Sequence, residues 1–528
     1  MKRFSLRQVS LLPSPETHLN KGDTPLNARV IPAVLLALVV VLGVIAALVT
    51  SPAPVKAQTK KNAICIVYDI GGRGDLGFND MAYLGAQIVH QKFGLKIVSL
   101  SSMSQDDYLP NLRTLAKQGN CVIIVGVGFL MTDAVKEVAK EYPNQLFAGV
   151  DEYIPNMKNV IGIVFRENEG SALAGALAAL IAIHYGASKV GLVLGMEIPV
   201  LYKFEAGYRY GVWWATHWYK WKFGQQKNIE VLYQYTGTFK DPAKGKEAAM
   251  AQLQQGAIVI YNVAGATGLG IFDAVQQWGK EHGKTHGPPF AIGVDSDQDW
   301  IKPGWIIASM MKRVDMGVYY ATKKALEYEE GKIKTYGGIM SLGIKENGTV
   351  LSSINDLYTF MKMGVEEGVI KPSQEQAIVQ KVKAIREMLP SWIWQAVNEL
   401  KNEILTGKVK VPAPMTKEGI EKVRVEYSVA SPNAKGWSLP WTPPTAAITT
   451  STTKTLTTTT TTKTTTSTPA STATTTLTVT KTVTKSAVST VTTTVTRQVA
   501  TTNWGIAGGL WVIGLIIGII IGWVAKRK

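Results

Sequence analysis

Between Ala63 and Val294 the chain alternates short apolar runs with longer amphipathic stretches. The runs Ala63–Tyr68, Lys96–Leu100, Cys121–Gly126, Leu146–Val150, Val160–Phe165, Lys189–Gly195, Glu230–Gly237, Ala257–Val263 and Phe290–Val294 read as strands. The stretches Met81–Phe93, Asp107–Gln118, Met131–Tyr142, Glu167–Tyr185, Pro199–Phe223, Pro242–Gln255 and Gly268–His282 carry apolar residues at helical spacing. Strands separated by helices of that length predict βαβ units and a parallel sheet. Several of the strands have no polar face, as expected where helices cover both sides. Further on, a short β segment is expected around Ile339–Leu351, then helices near Ile354–Glu367 and Gln374–Leu405. A body reaching about residue 440 is too long for one such sheet and predicts two α/β lobes with a cleft between them.

The pattern breaks at both ends. Val30–Val55 is uncharged and follows a basic leader. With the small-residue exit Lys56-Ala57-Gln58, residues 1–57 fit a secretory signal cleaved after Ala57, or a retained membrane segment. Trp504–Val524 is 21 residues without a charge, followed by Lys526-Arg527-Lys528. That is long enough to span a bilayer. The basic end belongs on the cytoplasmic side, and Trp504 and Trp523 sit where interfacial aromatics are found. A single-pass anchor at 504–524 with a cytoplasmic tail at 525–528 is therefore expected, leaving everything upstream outside the cell. Residues 441–503 are dominated by threonine and hold too little apolar surface to build a core. They predict an extended stalk of the kind that is often O-glycosylated.

This layout changes the meaning of the net charge. The leader carries +3, the threonine-rich stretch +5 and the last three residues +3, which leaves +6 of the +17 for residues 30–449. A nucleic-acid partner loses its electrostatic support. The two cysteines, Cys65 and Cys121, each lie inside an apolar run, where buried free thiols are the expected state; a disulfide is the alternative outside the cell, though two strand-interior positions rarely offer its geometry. The six histidines are scattered and no CxxC occurs, so neither a metal nor a cofactor is expected.

The chemistry gathers where predicted strands end. Asp69–Asp80 is a glycine-rich turn between a strand and a helix, and open α/β sheets bind ligands at such turns. Asp75, Phe78 and Asn79 offer it a carboxylate, a ring and an amide, suited to a polar, ring-bearing small molecule. The same residue types also serve ordinary turns and helix caps. Asp151 closes a second strand. Gly293-Val294-Asp295-Ser296-Asp297-Gln298 closes a third, with Lys312 downstream. Asp295 and Asp297 suit either a ribose diol or the acid–base pair of a glycoside hydrolase. The aromatic stripe from Phe204 to Trp221 reads as core, with only Phe204, near the helix start, kept as a ligand contact. Gly265–Gly270 is not a GxGxxG fingerprint, and Gly245-Lys246-Glu247 lacks the Ser/Thr of a P-loop, which removes ATP hydrolysis.

Ordered motifs carry a family resemblance from about Asn62 to Pro412. They include Asp75-Leu-Gly-Phe-Asn79, Phe165-Arg-Glu-Asn-Glu-Gly170, Phe204-Glu-Ala-Gly207, Gly265-Ala-Thr-Gly-Leu-Gly270, Gly293–Gln298 and Ser309-Met-Met-Lys-Arg-Val-Asp315. The chain resembles the basic membrane protein (Bmp) family, substrate-binding proteins of ABC transporters that include purine nucleoside receptors. The resemblance implies a type I periplasmic-binding-protein fold: two Rossmann-like lobes with a hinge of three crossing segments. It places lobe 1 at about 62–165 and 298–335, and lobe 2 at about 166–297 and 336–440, within a binding domain of residues 58–440. It implies an extracellular binder, not an enzyme, that delivers a nucleoside to an ABC permease. In it Asp75 and Asn79 would contact base or sugar and Phe204 would stack. Asp151, Asp295 and Lys312 would hold polar groups, and the loop at Gly265 would pass close to the ligand. A sugar or other small polar ligand, or a surface hydrolase using Asp295 and Asp297, are the alternatives. Bacterial relatives are lipoproteins anchored at the amino terminus; a carboxyl-terminal helix on a threonine-rich stalk looks archaeal instead.

Overall fold

The computed structural model describes residues 61–428 and the backbone of two later strands, Thr476–Val483 and Val491–Gln498. The expected leader, stalk residues outside those two strands, anchor and tail lie outside the described residues. Among the described residues no helix is long and apolar enough to cross a membrane.

The chain opens with β1 (Ala63–Tyr68), α1 (Phe78–Phe93), β2 (Lys96–Ser101), α2 (Tyr108–Gln118), β3 (Cys121–Val127), α3 (Thr132–Glu141), β4 (Phe147–Val150) and β5 (Val160–Phe165). It continues with α4 (Glu167–His184), β6 (Lys189–Leu194), α5 (Pro199–Phe223), β7 (Glu230–Tyr235), α6 (Pro242–Gln254), β8 (Ala257–Val263), α7 (Gly268–Glu281), β9 (Phe290–Asp295) and β10 (Ile306–Lys312). Then follow α8 (Val314–Glu329), β11 (Gly338–Leu342), β12 (Thr349–Leu351), α9 (Ile354–Glu366), α10 (Glu375–Glu387), α11 (Ser391–Leu405) and α12 (Lys417–Glu426).

Two six-stranded sheets result, ordered β11-β5-β4-β3-β1-β2 and β12-β10-β9-β8-β6-β7. Only β12 in the second sheet runs antiparallel, on β10. The chain passes between sheets three times: at Arg166, at Arg313, and between Leu342 and Thr349. The expected lobe limits shift accordingly. Ile306–Lys312, expected in the first lobe, is an interior strand of the second sheet, because both its faces are apolar and buried. The expected β segment at 339–351 divides, β11 extending the first sheet and β12 the second. The residues α9 buries, Leu357, Phe360 and Met361, join the core around the first sheet, whereas Ile393, Val397 and Leu400 of α11 join that of the second. The long helix expected at Gln374–Leu405 is two helices, parted at Pro390, whose ring cannot continue an N–H ladder.

The cysteines are not free thiols. Cys65 and Cys121 form a disulfide with Cα atoms 5.8 Å apart. β1 and β3 are neighbours, both cysteines point into one core, and a register shift after Ala63 brings them diagonally within bonding range.

The second unit, residues 443–528, contains β13 (Thr476–Val483) and β14 (Val491–Gln498). They pair antiparallel from Thr476↔Gln498 to Val483↔Val491. This part of the expected extended stalk is thus a β-ladder, which the β-branched threonines and valines favour over an unpaired chain.

Candidate ligand-binding cleft

The carboxyl ends of the strands in both sheets meet around a cleft whose empty space, counted with the solvent at its mouth, is about 610 Å³. The eight residues expected to contact the ligand all line it: Asp75, Phe78, Asn79, Asp151, Phe204, Gly265, Asp295 and Lys312. The first four stand on the first lobe and the others on the second.

Lys312, at the end of β10, is the electrostatic centre. Its Nζ lies 2.6 Å from Asp151 Oδ2, 3.8 Å from Asp295 Oδ1 and 4.0 Å from Glu167 Oε1. It also sits 4.5 Å from the ring centre of Phe78 and 5.3 Å from that of Phe204. Burial acts against the charge on Lys312, but Asp151, Asp295 and Glu167 outweigh it and hold the pKa above the ordinary lysine value. Glu167 has a second cation, Lys203, at 2.5 Å.

Asp151 and Asp295 are counterparts. Each ends a Gly-Val-Asp strand terminus, and each has a left-handed backbone, with φ of 64° and 65°. Non-glycine residues rarely adopt that conformation, and it concentrates at functional sites. One oxygen of each, Oδ1, is buried with no hydrogen-bond donor among the described residues. Burial raises the pKa of Asp295 to about 6, against the opposing pull of Lys312.

Asp75 and Asn79 stand on the wall in another capacity. The Asp75 carboxylate accepts from the backbone N–H groups of Gly77, Asn79 and Asp80 at 2.9–3.2 Å, which serves the start of α1. Asn79 Nδ2 donates to Asp69 Oδ1 at 2.7 Å and to Asp75 Oδ2 at 3.1 Å. The polar atoms of both are thus engaged within the loop, which they brace. Burial, then the neighbouring Asp80, push the Asp75 carboxyl up to about 8.

The loop also grips the opposite lobe. The Leu76 carbonyl accepts from Ser296 Oγ at 2.7 Å and from Gln298 Nε2 at 3.0 Å. Gly265, with φ of +55°, turns the chain after β8 where a side chain would strain the backbone. Asp297 is absent from the cavity wall; its Oδ1 accepts from the Asp299 N–H. The two carboxylates of the hydrolase alternative therefore do not converge on the cavity. Among the described residues no cluster of His, Cys, Asp and Glu is arranged to hold a metal ion.

Among the lining residues outside the eight expected contacts, three carry a carboxylate or a ring: Asp69, Phe129 and Phe239. Asp69 is the first residue after β1, Phe129 follows β3, and Phe239 follows β7. The signal was positional, since every strand-end loop of such a sheet faces the same side.

The profile of a family described as ABC transporter substrate-binding protein PnrA-like (Bmp) matches residues 62–402. An uncharacterized lipoprotein of Pyrococcus abyssi is 39% identical over 381 residues, covering 72% of this chain and 91% of the relative. The ABC transporter nucleoside-binding protein BmpA of Lactococcus lactis is 29% identical over 375 residues, covering 68% and 91%. Among solved structures, an ABC transporter solute-binding protein from Aeropyrum pernix superposes with a TM-score of 0.62 at 35% identity, covering 69% of this chain and 99% of that one.

Proposed function

The chain belongs to the Bmp family of ABC-transporter substrate-binding proteins, and we propose that it holds a nucleoside, of the purine type, between its lobes and delivers it to a membrane permease. The carrying observation is the pair of donor-free oxygens, Asp151 Oδ1 and Asp295 Oδ1, beside Lys312. Buried carboxylate oxygens require donors, and ribose hydroxyls supply them. Phe78, Phe204 and Phe239 line the same cavity and suit a flat base. Lys312 is already committed to three carboxylates, so the site favours a nucleoside over a nucleotide.

The body is placed outside the cell, tethered through the threonine-rich segment to an anchor at 504–524. The core disulfide supports an oxidising compartment. Several relatives are named lipoproteins, whereas both cysteines of this sequence are committed to that disulfide.

Phe204→Ala tests the base-stacking role. Adenosine affinity should fall by about 1–3 kcal/mol, the usual worth of an aromatic–base contact, beside a separate loss of about 3–5 kcal/mol in the stability measured without ligand, because Phe204 also belongs to the buried core. Unchanged affinity would remove Phe204 from the site.

A further inference from the structure

Glu152, directly after Asp151, is fully buried, and neither of its carboxyl oxygens has a hydrogen-bond partner among the described residues. Its surroundings are built for it. Gly126, Gly149 and Gly162 stand in register across β3, β4 and β5. A Cβ at Gly149 would run into the Glu152 carboxyl, and one at Gly126 would come within 3.3 Å of its Oε1. One at Gly162 would strike the Glu152 main-chain carbonyl. In this row of three glycines, Gly149 and Gly126 make room for the side chain, folded back over the strand that carries Asp151, and Gly162 for the main chain.

The second lobe repeats the device with different chemistry. There Gln298 folds back over Gly293, in the strand ending at Asp295. Its Oε1 accepts from the Val294 N–H at 2.9 Å and its Nε2 donates to the Leu76 carbonyl. Each left-handed aspartate is therefore backed by a long polar side chain laid on a glycine, an amide in one lobe and a carboxyl in the other.

We propose that Glu152 is a positioning residue that props the left-handed turn of Asp151 and does so as the uncharged acid. An ionised carboxylate without a partner could not remain in that groove at acceptable cost. The charged groups acting on it are Asp151 on its own segment, and Asp133 and Lys136 of α3; the strands beneath it offer glycine. Burial first, then Asp151, hold its pKa well above the ordinary glutamate value.

The sign follows from linkage. The unfolded chain releases this proton near the ordinary glutamate pKa while the folded protein keeps it, so stability falls as pH rises through that interval. One retained proton makes the folding equilibrium constant fall about tenfold per pH unit. Glu152→Gln, the isostere of the neutral acid, should lack that component.

The test is urea unfolding of the full-length chain between pH 5 and pH 7, for wild type, Glu152→Gln and Glu152→Ala, with adenosine titrated at pH 7. The wild type should lose stability about tenfold per pH unit more steeply than Glu152→Gln. Glu152→Gln should bind adenosine as the wild type does, and Glu152→Ala should bind at least about tenfold more weakly, its aspartate left unpropped. Parallel slopes for wild type and Glu152→Gln would overturn the neutral acid, and full affinity in Glu152→Ala would overturn the prop. The binding arm rests on the nucleoside reading; the slope arm uses no ligand and stands if that reading fails.

Discussion

Replacing Lys312 by Met is expected to lower the stability of the folded body by about 3–5 kcal/mol at pH 8 and to abolish nucleoside binding. The range is that for breaking a buried ion pair by removing one partner. Lys312 serves Asp151, Asp295 and Glu167 at once, and without it these buried carboxylates must stay charged without their cation or take up protons. Asp295 fixes the pH dependence. Burial already raises its folded pKa to about 6, and Lys312 is the chief influence holding it down. A carboxylate with a raised folded pKa contributes most to stability at low pH, and that contribution is lost as pH rises through the folded value. In Lys312→Met the loss extends to higher pH than in the wild type. The difference between the two proteins should therefore be larger at pH 8 than at pH 5. Urea unfolding at both values measures it, and an equal difference at each would show that the cluster is not the cause.

Removing the disulfide by Cys65→Ala with Cys121→Ala should cost about 4 kcal/mol, the loop-entropy figure for a closure of this length. The bridged residues are 56 apart in sequence. Their bond fastens β1 to β3 in the middle of the first sheet, between the strands that lead to Asp69 and Phe129. Most of the effect lies in the unfolded chain, which regains the freedom the cross-link removed. Equilibrium unfolding of the double variant against the oxidised wild type reads it directly. A loss below about 1 kcal/mol would mean that strain or residual structure cancels the entropy.

The sheets were legible because parallel strands covered on both faces are written as apolar runs. β10 escaped this reading because Ser309 interrupts its run. Its hydroxyl is buried but satisfied, donating to Asp299 Oδ1 and accepting from the Gln298 N–H, a tertiary compensation that no periodicity reveals. The helix α8 was missed although Val314, Val318, Ala321 and Ala325 recur on one face. The disulfide was misjudged because strand order is not written locally: Cys65 and Cys121 become neighbours only once β3 pairs with β1.

The site shows the same division. Asp151 and Asp295 could be placed on the cavity wall because aspartate after glycine at a strand end is informative by position, Phe204 because it stands near a helix start, and Lys312 because it lies downstream of Gly293–Gln298. Asp75 and Asn79 looked like the sharpest ligand contacts, yet most of their hydrogen bonds brace the loop that carries them. Residue type alone does not separate an oxygen aimed at a ligand from one that caps a helix.

Calorimetric titration of the full-length chain with adenosine, guanosine, inosine and uridine tests the central claim most directly, with AMP and free sugars alongside. The account predicts saturable binding of at least one purine nucleoside and markedly weaker binding of AMP and of sugars. Binding of none of the four nucleosides, or preference for a sugar, would contradict it.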